Sequence, residues 1–115
     1  MRARAAGASP VTLLRAAQRT CQRVDLVVRQ AEHGAGYDDA VATLRPPPPY
    51  SARSAFVTRC RGWTAHALER AMALLLDAEA KCKTTALPDD IIAAQAFIDL
   101  ARLRLEPRDR RTALR

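Results

Sequence analysis

The fold is indicated most clearly by residues 63–100, which read WTAHALERAMALLLDAEAKCKTTALPDDIIAAQAFIDL. Its first part predicts a long helix from Thr64, whose hydroxyl can cap the first turn, to about Thr84. Apolar residues recur there at steps of three and four on one face: Leu68, Ala71, Met72, Leu75, Ala78 and Cys82. Such a stripe is typical of a helix that packs one side against a protein core.

A second helix follows in the same stretch. It is predicted to begin at Pro88, because proline suits the first turn of a helix and the next two residues, Asp89 and Asp90, place carboxylates beside the unpaired N–H groups. It should end at about Leu105. Its apolar residues lie on most sides, which is more than a small isolated domain would bury. We therefore expect three residues to lie partly on an interface, or on a seam with the first helix of the chain: Phe97, Leu100 and Leu103.

The first helix is predicted from Ser9 and Pro10 to about Glu32, since serine can cap the free N–H groups and proline fits the first turn. One face carries an apolar stripe: Leu14, Ala17, Cys21, Val24, Val28 and Ala31. Another face carries an arginine ridge at four-residue steps: Arg15, Arg19 and Arg23. This ridge favours an ordinary solvated face, with a contact to nucleic acid or to an acidic partner as the alternative.

The middle of the chain is predicted to hold two shorter helices, separated by four prolines. The first runs from Asp38 to about Leu44. The prolines, 46–49, cannot be helical and form a stiff connector of roughly 12 Å; as a ligand for proline-reading domains they would need a longer exposed tract. Ser51 could cap the next helix, which reaches Arg61 or the following glycine.

Four large apolar residues are predicted to anchor the core: Phe56, Trp63, Leu68 and Leu75. The tryptophan could also serve as an exposed stacking platform for a base, but it is the single tryptophan of the chain and has few aromatic neighbours. A role in the core is the favoured interpretation.

Composition predicts the fold class. With 115 residues, 49% hydrophobic and 4% aromatic, the chain suits one all-α domain: a single compact bundle of about five helices. We expect a disordered N-terminus (1–8), the helical domain (9–105) and a basic flexible tail (106–115). The net charge of +7 fits an anionic partner but equally fits solvated surfaces.

Patterns that carry chemistry are absent from the sequence. No glycine-rich phosphate loop precedes a helix, and the two histidines, His33 and His66, have no nucleophile at a suggestive spacing. We expect no intrinsic catalysis, no cofactor, no metal and no small-molecule substrate. The longest apolar run, 71–76, is far below the roughly 20 residues that cross a bilayer, so no membrane partner is expected.

The three cysteines, Cys21, Cys60 and Cys82, are far apart and show no zinc-ligand spacing. They are interpreted as buried or half-buried apolar residues. Their odd number, together with the lack of a signal peptide, predicts a reducing cytoplasmic location.

Several segments, in order, resemble one known family. They are Pro10–Ala16, Leu44–Pro47, Phe56, Trp63, Leu68–Ala71, Ala78–Glu79 and Lys83–Pro88. Together these segments, which span about residues 9–103, are similar to the C-terminal domain of the delta subunit of the bacterial DNA polymerase III clamp loader, in its alphaproteobacterial form.

The resemblance implies a function in assembly. In that family the helical C-terminal domain forms a collar with the matching domains of the gamma/tau and delta-prime subunits, and so supports loading of the sliding clamp in DNA replication. It implies a non-catalytic part of the DNA-directed DNA polymerase III holoenzyme, and it allows contact with DNA inside the complex. No residue here matches the ATPase-like domains or the clamp-opening element of that family, so the resemblance implies a partial delta subunit.

Two alternatives from other classes stay open at this point. A free-standing basic helical module would bind DNA or RNA through the arginine ridge and the tail, with an affinity that falls steeply as salt rises. A small cysteine-dependent enzyme would need an accessible thiol of low pKa.

Overall fold

The computed structural model of the protein describes residues 8–105, and the regular structure within that range is helical. The helices are α1 (Pro10–Glu32), α2 (Tyr37–Ala42), α3 (Arg53–Arg61), α4 (Ala65–Thr84) and α5 (Asp89–Leu105). The predicted all-α bundle of about five helices is thereby confirmed. The predicted flexible tail, 106–115, and the predicted disordered N-terminus, apart from Ala8, lie outside the described residues.

Two of the three predicted serine and threonine caps are present. The hydroxyl of Ser9 accepts the backbone N–H of Thr12 at 3.1 Å, and that of Thr64 accepts the N–H of Ala67 at the same distance. The prediction for Ser51 is wrong. This serine lies inside a 3-10 turn, Tyr50–Ala52, closed by the hydrogen bond from the N–H of Ala52 to the carbonyl of Pro49, and α3 begins only after it.

The turn between α1 and α2 depends on a glycine. Gly34 has φ +101°, in the left-handed region that glycine adopts without steric cost. It follows His33, whose N–H donates to the carbonyls of Arg29 and Gln30 at the end of α1. The predicted end of the first helix at about Glu32 is thus confirmed.

Helices α1 and α4 form the centre of the bundle and run antiparallel. Two ion pairs between them show this direction. Arg15 near the start of α1 pairs with Glu79 late in α4, and Arg29 late in α1 pairs with Glu69 early in α4. Helix α5 packs on α4 and α1, and α2 packs between α1 and α3.

The core lies between these helices. It includes Leu14, Val24, Val27, Val28, Val41, Cys60, Ala71 and Leu75, all nearly inaccessible to solvent. Three of the predicted anchors, Phe56, Leu68 and Leu75, are buried, and the fourth, Trp63, is half-buried against the core. Val27, which the predicted stripe of α1 omitted, is fully buried because α1 is covered on a wider arc than one stripe.

Candidate protein-docking surface

The outward side of α5 carries an apolar strip that no other described residue covers. Its members are Ile91, Ala94, Ile98 and Ala101, at successive steps of three, four and three; we call them the outer strip. The two isoleucines are 56% and 47% exposed. The opposite side of the same helix is buried in the core through Ile92, Ala93, Ala96 and Leu103.

A shallow cleft between α4 and α5 extends the apolar surface beyond the outer strip. It has a volume of about 230 Å³ and brings Leu74, Leu87 and Ile91 to the surface together. Leu87, in the α4–α5 connection, is one of the most exposed large apolar residues of the described chain. The cleft and the outer strip together form a larger apolar surface than isolated exposed side chains would.

The structure separates the three residues that the sequence predicted for an interface or a seam. Leu103 is only 7% exposed and belongs to the core, so it is unavailable to an external partner. Phe97 and Leu100 are half-buried and line a groove beside α1, which agrees with the alternative of a seam with the first helix. The exposed isoleucines of the outer strip were missed. Their spacing was visible in the sequence. However, α5 is apolar on most sides, so spacing alone does not indicate which of its apolar residues are buried and which are exposed.

The groove that Phe97 and Leu100 line lies between α1, α3 and α5 and has a volume of about 630 Å³. Its lining is mainly apolar and includes Cys21, Val24, Trp63 and Leu68. Two exposed arginines, Arg59 and Arg104, complete it, and none of the aspartates and glutamates within residues 8–105 lines it. We call this feature the basic-rimmed groove.

Arg104 is held in place at the edge of this groove. Its guanidinium carbon lies 5.8 Å from the centre of the Trp63 ring, a cation–π contact. It also packs directly over Gly62, where an added Cβ would collide with the guanidinium. The lack of a side chain at Gly62 therefore makes room for Arg104 against the tryptophan.

The arginine ridge is not a continuous free cationic surface. Arg15 donates from Nε to Glu79 at 2.9 Å, and Gln18 donates from Nε2 to the other carboxylate oxygen at 2.8 Å. These two hydrogen bonds, that of Gln18 foremost, lower the pKa of Glu79. Lys83, four residues later on the same helix, forms an ion pair with this carboxylate at 3.6 Å.

The other two members of the arginine ridge differ from each other. Arg23 is half-buried, with its guanidinium 5.9 Å from the centre of the Phe56 ring. Arg19 is exposed and forms no hydrogen bond or ion pair within residues 8–105. One of the three arginines is thus left unengaged by the described part of the chain.

The cysteines lie where the sequence predicted them. Cys21 and Cys60 are buried and Cys82 is half-buried. Burial raises the pKa of all three thiols, that of Cys60 to about 11. A nucleophilic cysteine needs the opposite shift, so the arrangement offers nothing to the thiol-enzyme alternative.

Across 8–105, no three His, Cys, Asp or Glu side chains come together as a metal site requires. No helix of this range has both the length and the apolar character for crossing a membrane. Comparisons of the chain with protein-family models, with curated proteins and with solved structures find no match.

Proposed function

We propose that this protein is a subunit-assembly domain of the clamp-loader collar type, which docks neighbouring subunits through the outer strip of α5. The observation that carries the proposal is the exposure of Ile91 and Ile98 on a helix whose other side is fully used by the core. The resemblance to the delta subunit supplies the class of partner, namely the gamma/tau and delta-prime subunits. The protein then supports sliding-clamp loading in DNA replication by holding subunits together in the cytoplasm.

The spacing of the outer strip suits a helical partner. Steps of three, four and three follow the a and d positions of a heptad, the pattern by which two helices interlock their side chains. The alternating alanines, Ala94 and Ala101, leave room for a facing helix to approach between the larger isoleucines. A collar is made of such helix-to-helix contacts, so an apolar seam on an outward helix is what the proposal requires.

The nucleic-acid alternative has weaker support. A basic module needs several cations free to meet phosphates. Here Arg15 is engaged by Glu79, and Arg23 is half-buried. We therefore favour assembly as the function and treat nucleic-acid binding as an outcome that the experiment can reveal.

The experiment measures assembly of the purified chain with purified gamma/tau and delta-prime subunits by surface plasmon resonance. Replacing Ile98 by Asp puts a charge into the centre of the outer strip, and binding should weaken by at least about ten-fold, as for a central interface residue. Leu26→Asp is the matched control, because Leu26 is 55% exposed on α1 and lies off the strip. That variant should bind as the unmodified protein does.

Salt gives the second readout. Assembly through an apolar seam should change little between low and moderate salt, whereas binding to a DNA duplex should fall steeply. The proposal is abandoned if the unmodified chain binds none of these subunits, or if Ile98→Asp and Leu26→Asp weaken assembly equally.

A further inference from the structure

We infer that the basic-rimmed groove is a second docking site, which takes an acidic amphipathic helix of a partner protein. The site lies between α1, α3 and α5 and adjoins the outer strip at Ala101, while the exposed isoleucines of that strip lie outside it. The inference does not rest on the proposed function, since it uses only the lining of the groove and the charges at its edge.

The floor of the groove provides the apolar part of the recognition. Trp63, Phe97 and Leu100 are each half-buried, so part of each remains to be covered by a ligand. Large aromatic side chains in a concave apolar surface are the usual anchors of a protein-docking site. The volume of about 630 Å³ is enough for side chains from successive turns of one helical face.

The edge of the groove provides the charge. Arg59 and Arg104 are both exposed, and no carboxylate of the described residues pairs with either, so their charge is available to a ligand. Arg104 is already ordered against Trp63 and Gly62, so a carboxylate would meet a guanidinium that loses little freedom on binding. Because the described lining of the groove holds two arginines and no acidic residue, a ligand with acidic flanks is favoured over a basic one.

Other occupants fit less well. A second copy would carry the same excess of positive charge, +7 over the chain. The chain ends are also basic: residues 1–7 contain two arginines and no acid, and 106–115 contain four arginines and two acids. A nucleic-acid base would have to displace Arg104 from the ring of Trp63 before it could stack there.

The test uses Trp63 as an internal reporter, because it is the single tryptophan of the chain and lines the groove. The probe is a synthetic helix of about 14 residues, near the shortest length that is helical alone, with leucines along one face and glutamates beside them. A matched peptide carries lysines in place of the glutamates, and neither contains tryptophan. The full chain is titrated with each peptide while the emission of Trp63 is followed.

We expect the acidic peptide to bind and to shift the Trp63 emission to shorter wavelength, and the lysine peptide to bind at least about five-fold more weakly. Arg104→Gln and Arg59→Gln should each weaken binding of the acidic peptide up to about five-fold, the range of an exposed ion pair. Gly62→Ala should also weaken it, because the added Cβ displaces Arg104 without removing its charge. The φ of Gly62 is −82°, which alanine adopts readily, so this variant should fold.

Matched controls separate the groove from general electrostatic attraction. Ala55→Glu puts an acid on the exposed lining of the groove and should weaken binding, whereas Ala80→Glu, on an exposed position of α4 outside it, should not. Arg19→Gln removes the same charge as Arg104→Gln from a position outside the groove and should leave binding unchanged.

The inference is overturned if the two peptides bind equally, if Arg19→Gln weakens binding as much as Arg104→Gln, or if a short DNA duplex competes with the acidic peptide for the groove. It is overturned as well if the acidic peptide binds without changing the Trp63 emission. Ile98→Asp keeps the groove intact. If this variant loses collar assembly but still binds the acidic peptide, the two proposed docking sites are independent and can be tested separately.

Discussion

The α1–α4 interface and the outer side of α5 both consist of aliphatic residues, but these residues are buried in the first region and exposed in the second. In the interface, Leu14, Val24 and Leu75 are sealed from solvent, and ion pairs at both ends fix the antiparallel register. On α5, Ile91 and Ile98 are as apolar, yet half of each remains in water. An apolar residue therefore belongs to the core or to a docking surface depending on whether neighbouring helices cover its side chain.

The two regions also differ in how specifically they are held. Glu79 accepts hydrogen bonds from Arg15 and Gln18 on α1 and is paired with Lys83 on its own helix, so one carboxylate fixes the relative position of two helices. The outer strip has only apolar side chains, so a partner would recognise it by shape complementarity and not by directed hydrogen bonds. A surface of this kind permits assembly without making the isolated domain depend on it.

The largest expected effect comes from the middle of the α1–α4 interface. Leu75 is 0% exposed and its neighbour Leu76 is 51% exposed. Leu75→Ala should lower the free energy of unfolding by about 3 kcal/mol, because it removes buried methyl groups and leaves a cavity. Leu76→Ala should change it by less than about 0.5 kcal/mol. Urea denaturation followed by circular dichroism checks both, and equal effects would contradict the assignment of Leu75 to the core and of Leu76 to the surface.

A second pair tests the two sides of α5 in the same way. Leu103→Ala, on the buried side, should cost about 2 kcal/mol of unfolding free energy. Ile98→Ala, on the outer strip, should stay within about 0.5 kcal/mol while weakening assembly with the clamp-loader subunits. Should Ile98→Ala destabilise the isolated chain as strongly as Leu103→Ala, the outer side of α5 would belong to the core rather than to an interface.

The smallest expected effect concerns the carboxylate that ties α1 to α4. The pKa of Glu79 in the folded protein is below its ordinary value of 4.5, so this residue stabilises the fold above that pH and the contribution is lost as pH falls through the lowered pKa. Comparing the melting temperatures of the unmodified protein and Glu79→Gln should therefore show a gap at pH 7 that narrows toward pH 3. Gln18→Ala removes the largest cause of the lowered pKa of Glu79. In a protein that carries Gln18→Ala, the difference in melting temperature caused by Glu79→Gln at pH 7 should therefore be smaller. Parallel curves at all pH values would contradict this role.

Much of the fold could be predicted from local patterns. The limits of α1, α4 and α5 follow from Ser9 with Pro10, from Thr64, and from Pro88 with two aspartates, since these residues act within one turn of their own helix. Ser51 was the exception. The proline connector ends in a turn that includes this serine, so the local signal was overridden by the segment before it.

The candidate sites were less predictable because they depend on contacts between distant segments. The arginine ridge was clear from four-residue spacing, but its partners Glu79 and Phe56 are far away in sequence. The basic-rimmed groove joins residues of four helices and the α3–α4 turn, so no local motif could indicate it. The role of Arg104 depends on its place over Trp63 and Gly62, which only the packing of α5 against that turn creates.

Local sequence patterns predicted the fold class, the limits of α1, α4 and α5 and most of the buried stripes of α1 and α4, because helix periodicity and capping act over a few residues and need no distant partner. Tertiary structure alone decided that Leu103 is core and Ile98 is surface, that Glu79 joins two helices, and that two arginines border an apolar groove. The physical reason is that burial and ion pairing both require contact between two segments of the chain. Which segments come into contact is settled only when the helices pack.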